Sequence, residues 1–284
     1  MTYDWNAVRA GWESARNAVE AALPTTDDAR LKQGGIGLAV RPVAVTGTPG
    51  TGKSVLYGAL TGEVRSGSAD SKRSPDIEEH HTTFASGGDW KTAKFAVLQG
   101  QDSKGRTIKL EEMIEGTNSP HGIVHVTCWG HNRIWESIGE RAVDRTLRAE
   151  DPSFGREDVR AWHIEKETDA FSDLCTRLFD TGNASRLKWL IVAVSKADLY
   201  WERISEARDH YIPHDPDKES EFCTLLRDLT SVRDIQVAVL PMSSRIISHQ
   251  FLPGIPKQYP QLDDVQRGPL GQHFTRTLQG FLNL

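Results

Sequence analysis

Apolar residues recur at helical spacing near the start of the chain. They follow one another at steps of three and four, the period of one helix face, at Trp5, Val8, Trp12, Ala15, Val19 and Leu23. Because Pro24 cannot continue a helix, we predict an amphipathic helix over residues 1–24. Its apolar stripe is expected to pack on the domain that follows. Docking to a partner or a membrane is the alternative, and the mixed charges of the polar face weaken the membrane option.

From residue 38 to residue 284 the pattern changes to short apolar runs separated by helix-type segments. Strands are predicted at 38–46, 82–85, 93–98, 122–128, 189–194 and 235–240. Helices are predicted after Ser54, at 108–115, 166–179 and 218–229, and from 271 to the end. Apolar strands that alternate with helices favour a mostly parallel sheet with helices on both faces. We therefore predict a doubly wound α/β fold for this domain.

Two segments are longer than such a fold needs. Residues 62–81 are polar and lack periodicity, as a mobile loop would. The stretch between Cys128 and Trp189 exceeds one crossover helix and carries Trp129, Trp135 and Trp162. We predict a helical insert there, at about residues 129–165.

Composition and charge narrow the class of protein. The formal net charge is -5, which gives no indication of a basic surface, so no nucleic-acid partner is expected. Hydrophobic residues make up 38% of the chain, without an apolar run long enough for a membrane helix, so no membrane span is expected. Cys128, Cys175 and Cys223 lie far apart, and the first 24 residues lack the pattern of a signal peptide. A reducing, cytoplasmic location fits these features best.

The stretch "VAVTGTPGTGKSVL", residues 43–56, contains the spacing G-x-x-x-x-G-K-S between a predicted strand and a predicted helix. Glycines at these positions let backbone N–H groups surround a phosphate, and the helix N-terminus adds its positive dipole end. Lys53 would reach the β- and γ-phosphates, and the Ser54 hydroxyl would bind Mg²⁺. The predicted nucleotide-binding residues of this loop are Gly47, Thr48, Pro49, Gly50, Thr51, Gly52, Lys53, Ser54 and Val55. The loop alone fits adenine-nucleotide enzymes as well as GTPases.

Further along the chain, "SKAD" at residues 195–198 follows the predicted strand at 189–194 and resembles the N-K-x-D guanine motif, with serine in place of asparagine. A carboxylate at Asp198 can accept two hydrogen bonds from the N1–H and 2-amino groups of guanine, a pair that adenine does not offer. The stem of Lys196 would cover the flat face of the base. Ser243 and Ser244 stand where proteins with the N-K-x-D motif have S-A-K, and by this resemblance the Ser244 N–H would meet the guanine O6.

The order and spacing of these motifs over residues 38–284 resemble the Ras-like and translation-factor class of P-loop GTPases. This resemblance implies a Ras-like G domain that binds GTP or GDP with Mg²⁺. It also implies GTP hydrolysis and the behaviour of a molecular switch. In this class Lys53 would be catalytic as well as phosphate-binding.

The segment "FAVLQGQDSKGR", residues 95–106, resembles the D-x-x-G-Q motif of that class. The resemblance gives Gly100 an N–H contact to the γ-phosphate and makes Gln101 the catalytic residue that orients the attacking water. Val97, however, stands where the family has the aspartate that holds Mg²⁺ through water. We therefore expect weak Mg²⁺ binding and slow turnover. Bacterial conflict-system GTPases are similar in having a divergent third motif.

Without that aspartate, two arrangements for the metal stay open. Either Ser54, a switch residue and the phosphate oxygens hold Mg²⁺, or an acid of the polar loop takes part, the candidates being Asp76, Glu78 and Glu79. "HHTTF" offers Thr82 and Thr83 as the threonine that binds Mg²⁺ just before the second strand. The alternative is that both threonines only begin that strand. His80, His81, His121 and His125 are expected to be structural.

Three functions follow from these features. The leading hypothesis is a GTPase that works as a molecular switch. The second is an assembly or interaction module that binds guanine nucleotide with negligible hydrolysis, and the third is a P-loop ATPase or nucleotide kinase. A protein partner is expected at the switch loops (62–83 and 99–106), the N-terminal helix or the insert, and the question of a dimer stays open.

Overall fold

The computed structural model describes residues 3–21, 40–61, 78–86, 89–97, 112–114, 119–134, 137–180 and 186–284. The strands are β1 (Val40–Thr46), β2 (Glu78–Ser86), β3 (Asp89–Val97), β4 (Gly122–Thr127), β5 (Trp189–Val194) and β6 (Gln236–Pro241). The longer helices are α1 (Trp5–Glu20), α2 (Lys53–Thr61), α3 (Ser137–Glu150), α4 (Arg156–Asp180), α5 (Ile204–Tyr211), α6 (Glu221–Val232) and α7 (Asp264–Phe281). Strands and helices alternate from β1 onward, which makes this an α/β protein.

The strands form one sheet in the order β2-β3-β1-β4-β5-β6. Strand β2 runs antiparallel to β3, and the other neighbouring strands are parallel. Every residue of β4 and β5 is buried, as expected for central parallel strands that are covered on both sides. The prediction of a mostly parallel sheet is confirmed.

Helices cover both faces of this sheet. The ring of His125 in β4 lies 5.0 Å from that of Phe171 in α4. Trp189, which pairs with Gly122, contacts Phe281 of α7 instead, at 5.8 Å between ring centroids. Because Gly122 and His125 are three positions apart in one strand, they face opposite sides of the sheet. Helices α4 and α7 therefore lie on opposite faces, which is compatible with the predicted doubly wound fold.

Helix α1 packs on the edge of this domain. The side chain of Asp4 caps its first turn by accepting hydrogen bonds from the N–H groups of Asn6 and Ala7. The buried stripe lies on the side toward β6 and α7 and consists of Val8, Trp12, Ala15 and Val19. The Tyr3 hydroxyl accepts a hydrogen bond from Val237 N at 2.6 Å and so covers part of the open edge of β6. The expectation that the stripe packs on the domain is confirmed.

The insert range contains α3 and the first part of α4. A small second core lies between these helices and the segment that follows β6, and it consists of Val143, Leu147, Val159, Phe251 and Leu252. Helical structure with its own apolar contacts therefore follows β4. In the described part of the chain, no helix is both long and apolar enough to cross a membrane.

Several element boundaries differ from the predictions. Strand β2 begins at Glu78, so residues 78–81 belong to an edge strand that pairs with β3 rather than to the polar loop. Helix α7 begins at Asp264 rather than at 271, because Asp263 and Gln266 form a capping box before Pro269. Strand β3 begins at Asp89 and α4 at Arg156, both earlier than predicted, and α5 was not predicted.

Candidate functional site

The loop after β1 lies at the point where the chain changes direction across the sheet. Strand β1 is flanked by β3 on one side and by β4 on the other, and β5 and β6 follow β4 outward. In open parallel sheets, ligands bind in the crevice outside the carboxyl ends of the strands at such a point. Residues 47–54 occupy this position.

Three glycines allow the loop to adopt its conformation. Gly47, Gly50 and Gly52 have φ values of +128°, +76° and +100°. A Cβ at Gly47 would lie 2.1 Å from the Val126 carbonyl oxygen, and a Cβ at Gly50 would lie 2.1 Å from that of Arg133. The loop therefore rests directly on β4 and on the segment that follows β4, without room for a side chain at these positions.

Lys53 lies inside the loop at the start of α2. Its Nζ donates to the carbonyl oxygens of Gly47 at 3.0 Å and Thr48 at 2.8 Å, and the residue is buried. The Thr51 hydroxyl also donates to Thr48 O, at 3.0 Å. The lysine side chain is thus held within the ring of backbone groups, where it can meet an anion.

The remaining carbonyl groups of the loop are held from outside. Pro49 O accepts from Asn132 Nδ2 at 3.1 Å, Gly50 O from Arg133 N at 3.2 Å and Lys196 Nζ at 2.7 Å, and Thr51 O from the Ser195 hydroxyl. In the described part of the chain, the N–H groups of Gly50, Thr51 and Gly52 have no protein acceptor. Outward carbonyl groups at Pro49, Gly50 and Thr51, and N–H groups without a protein acceptor beside a helix N-terminus and a lysine, are the chemical features that suit an anion.

The "SKAD" turn adjoins this loop. Lys196 has a φ of +57°, a left-handed conformation that costs free energy in a residue other than glycine. Its Nζ donates to Gly50 O and to His131 O, at 2.7 and 2.5 Å. Burial lowers the pKa of Lys196, whereas the nearby acidic groups, including Glu167 and Asp198, act to raise it. The turn is therefore fixed by its own lysine to residues 47–54, called the phosphate loop after their predicted role.

Asp198 lies in a buried polar cluster two residues beyond Lys196. Only 1% of its surface is exposed, and its Oδ1 accepts a hydrogen bond of 2.6 Å from the Ser243 hydroxyl. Burial raises the pKa of the Asp198 carboxyl, while the Ser243 hydrogen bond and the charges of Lys196 and Arg267 act to lower it. The structure thus brings Asp198 and Ser243 together.

The next residue, Ser244, is held from α7. Its carbonyl oxygen accepts from the Arg267 guanidinium at 3.1 Å, and its own hydroxyl oxygen is buried without a partner among the described residues. Lys196, Asp198, Ser243 and Ser244 therefore form one group of residues at the carboxyl ends of β5 and β6.

No family model matches the chain, and no curated protein was found to be similar to it.

The predicted metal-binding residues are less completely placed. Ser54 is the second residue of α2, at the phosphate loop. Val97 is buried and pairs with Val45, so a hydrocarbon side chain lies at the carboxyl end of β3. Among the described residues, no three His, Cys, Asp or Glu side chains are grouped as metal ligands. Of the predicted metal-binding residues, Ser54 is the described one that lies at the phosphate loop.

Thr82 and Thr83 lie within β2. The threonine that binds Mg²⁺ was expected just before this strand. The two threonines pair with Ala93 and Thr92, whereas Glu78 is the residue that pairs with Val97. Since a strand rises about 3.4 Å per residue, the threonines lie roughly 14–17 Å along the sheet from the carboxyl end of β3. The register gives no support to either threonine as a metal ligand. Gly100, Gln101 and Asp76 lie outside the described residues.

The segment at 128–133, "CWGHNR", was not predicted to belong to the site. Residues 129–133 were assigned to the insert, yet His131, Asn132 and Arg133 all contact the phosphate loop or Lys196. The signal that could have located them is strand order, because the carboxyl end of β4 must adjoin that of β1. His125, by contrast, lies in the core beside Thr46 and Phe171, as expected for a structural residue.

Proposed function

We propose that the protein binds a guanine nucleotide at this edge of the sheet and hydrolyses GTP slowly, as a divergent P-loop GTPase of the Ras-like class that acts as a molecular switch. The observation that carries the proposal is the contact of Lys196 Nζ with Gly50 O. It joins the candidate base-binding turn to the candidate phosphate-binding loop, so that one nucleotide can bind to both.

Base selection follows from the chemistry of Asp198. A buried carboxylate whose Oδ1 is already fixed by Ser243 presents its remaining acceptor capacity in one direction. Guanine offers two adjacent donors, N1–H and the 2-amino group, whereas the corresponding edge of adenine does not. The Ser244 peptide, held by Arg267, would add a donor for the guanine O6.

The slow rate of GTP hydrolysis in this proposal follows from Val97 at the carboxyl end of β3. Mg²⁺ would be held by Ser54 and phosphate oxygens, where it supplies positive charge to the phosphates. The valine at position 97 is buried and cannot orient a metal-bound water. Lys53 would neutralise charge on the β- and γ-phosphates, and Gln101 would orient the attacking water.

The same valine favours a second candidate, a nucleotide-binding assembly module with negligible hydrolysis. Phosphate release in a single turnover, with protein in excess over GTP and Mg²⁺ present, separates the two functions. A slow but protein-dependent release supports the GTPase. Release at the rate of GTP alone in buffer supports the assembly module.

Asp198→Asn tests the guanine site. The amide loses an acceptor for guanine but gains a donor for the 2-oxo group of xanthine. Hydrogen bonds to a charged group are worth roughly 1.5–3 kcal/mol each, so we expect the affinity for GDP to fall about 100-fold. The affinity for xanthosine diphosphate (XDP) should rise. Isothermal titration calorimetry measures both. Asp217→Asn, at an exposed carboxylate, is the matched control and should bind GDP as wild type does. Unaltered GDP binding by Asp198→Asn would refute the assignment.

A further inference from the structure

The segment after β4 contacts three consecutive residues of the phosphate loop, Thr48, Pro49 and Gly50. Asn132 Nδ2 donates to the Thr48 hydroxyl oxygen at 2.7 Å and to Pro49 O at 3.1 Å. The next residue, Arg133, donates its backbone N–H to Gly50 O at 3.2 Å. Asn132 is only 2% exposed, so these contacts are shielded from competing water.

The orientation of the Asn132 amide is fixed at both ends. A carbonyl oxygen can only accept, so the amide nitrogen must be the atom that faces Pro49 O. On its other side, Asn132 Oδ1 lies 3.4 Å from the Cys128 thiol, whose single hydrogen is shared between Asn132 and Glu167 Oε1 at 3.3 Å. A flipped amide would place oxygen against oxygen at Pro49, which excludes the alternative orientation.

A buried carboxylate from α4 holds the segment that carries Asn132. Glu167 accepts hydrogen bonds from the N–H groups of Cys128 at 3.1 Å and Gly130 at 3.3 Å. Its second oxygen accepts from the Tyr211 hydroxyl at 2.6 Å, and that hydroxyl in turn accepts from Trp129 N at 3.1 Å. The backbone from Cys128 to Gly130 is thus tied to α4 and α5, and Asn132 projects from a rigid support.

We propose that Asn132 is a positioning residue for the phosphates of the bound nucleotide, and that it acts by fixing the Thr48 hydroxyl and the outward-facing Pro49 carbonyl of the phosphate loop. Donors that are already oriented need no rearrangement when an anion binds, so fixing them raises affinity. The inference rests on the phosphate half of the proposed function but not on the choice of guanine.

Two variants and three ligands test this role. Asn132→Asp keeps the shape of the side chain but replaces the donor with a negative charge, and Asn132→Ala removes the donor without adding charge. We expect the Asp variant to bind inorganic pyrophosphate and GDP at least about tenfold more weakly and the Ala variant about fivefold more weakly, from the loss of buried hydrogen bonds. Guanosine, which has no phosphate, should bind each variant within about twofold of wild type, because a positioning role leaves the base contacts intact. Asn17→Asp, at an exposed position of α1, is the matched control.

The titrations are accompanied by thermal unfolding of each variant. Selective loss of pyrophosphate and GDP binding in folded protein supports the role. An equal loss for guanosine, affinities like those of wild type, or unfolding of both variants would overturn it. If wild type binds pyrophosphate but no guanine nucleotide, the proposed function fails and the pyrophosphate titrations alone decide the role of Asn132. If wild type binds none of the ligands, both proposals fail.

Discussion

Gly50 and Gly254 both have positive φ angles, +76° and +88°, but they differ in their surroundings. A Cβ at Gly50 would lie 2.1 Å from Arg133 O, whereas a Cβ at Gly254 would meet nothing within 4 Å. The pair therefore separates the cost of the backbone conformation from the cost of a steric clash within the phosphate loop.

We expect Gly254→Ala to lower the free energy of unfolding by about 1 kcal/mol, the cost of a left-handed conformation in alanine, and to leave nucleotide binding unchanged. Gly50→Ala should abolish GDP binding, because the loop must move away from the segment after β4 to accommodate the methyl group. Calorimetric titration and urea unfolding of both variants measure the two effects. Equal GDP affinity in the two variants would show that the close approach at Gly50 does not matter for the ligand.

The positions of single residues could be predicted where the chemistry is local. The phosphate loop, Lys196 and Asp198 were identified because each follows a recognisable apolar strand at a fixed spacing, and the structure brings them together. Asn132 could not be identified in this way. Its partners Thr48 and Pro49 are more than eighty positions away in the chain, and neither composition nor period specifies such a contact.

Among the helices and strands, helix α1 is the element whose docking on the rest of the domain can be tested. Trp12 is fully buried against it, and Arg9 of α1 forms an ion pair of 2.9 Å with Asp209 of α5. The ion pair is partly exposed and contributes little, so the tryptophan should dominate the free energy of docking.

Trp12→Ala should lower the free energy of unfolding by about 3–5 kcal/mol, the usual cost of removing a buried tryptophan side chain. Urea unfolding followed by circular dichroism measures this. Ser14→Ala, at an exposed position of the same helix, should change stability by less than about 0.5 kcal/mol. A Trp12→Ala protein as stable as wild type would mean that α1 docks elsewhere.

Elements were predictable where burial imposes a pattern on both faces. The apolar runs of β4 and β5 gave those strands directly, because central parallel strands exclude polar residues. Strand β2 was predicted too short because the polar residues at its start are held by pairing with β3, and pairing partners cannot be read from one strand alone. Helix α7 was predicted to begin at residue 271, whereas a capping box of Asp263 and Gln266 starts it at Asp264, before Pro269.

At the scale of the whole molecule, several histidines are buried without charge. Burial lowers the pKa of His131 and of His163 to about 3 and that of His249 to about 2, and the nearby charge of Lys196 acts in the same direction. These values lie below the value of about 6.5 in an unfolded chain. The native state therefore binds fewer protons, so its stability is fully present above about pH 6.5 and is lost as the pH falls toward 3.

His249→Gln tests this dependence. Each buried histidine should cost wild type about 2 kcal/mol of unfolding free energy between pH 7.5 and pH 5.0, and the variant should lose that much less over the same interval. Urea unfolding at the two pH values measures the difference. A pH dependence identical to that of wild type would show that the pKa of His249 is the same in the native state as in the unfolded chain.

Equilibrium binding of GDP and ADP to the purified wild-type protein tests the central claim most directly. The contacts of Lys196 with the phosphate loop and of Asp198 with Ser243 predict that GDP binds at least about 100-fold more tightly than ADP, since two hydrogen bonds to a buried carboxylate distinguish the bases. Equal affinities, or tighter binding of ADP, would contradict the assignment of a guanine-nucleotide site.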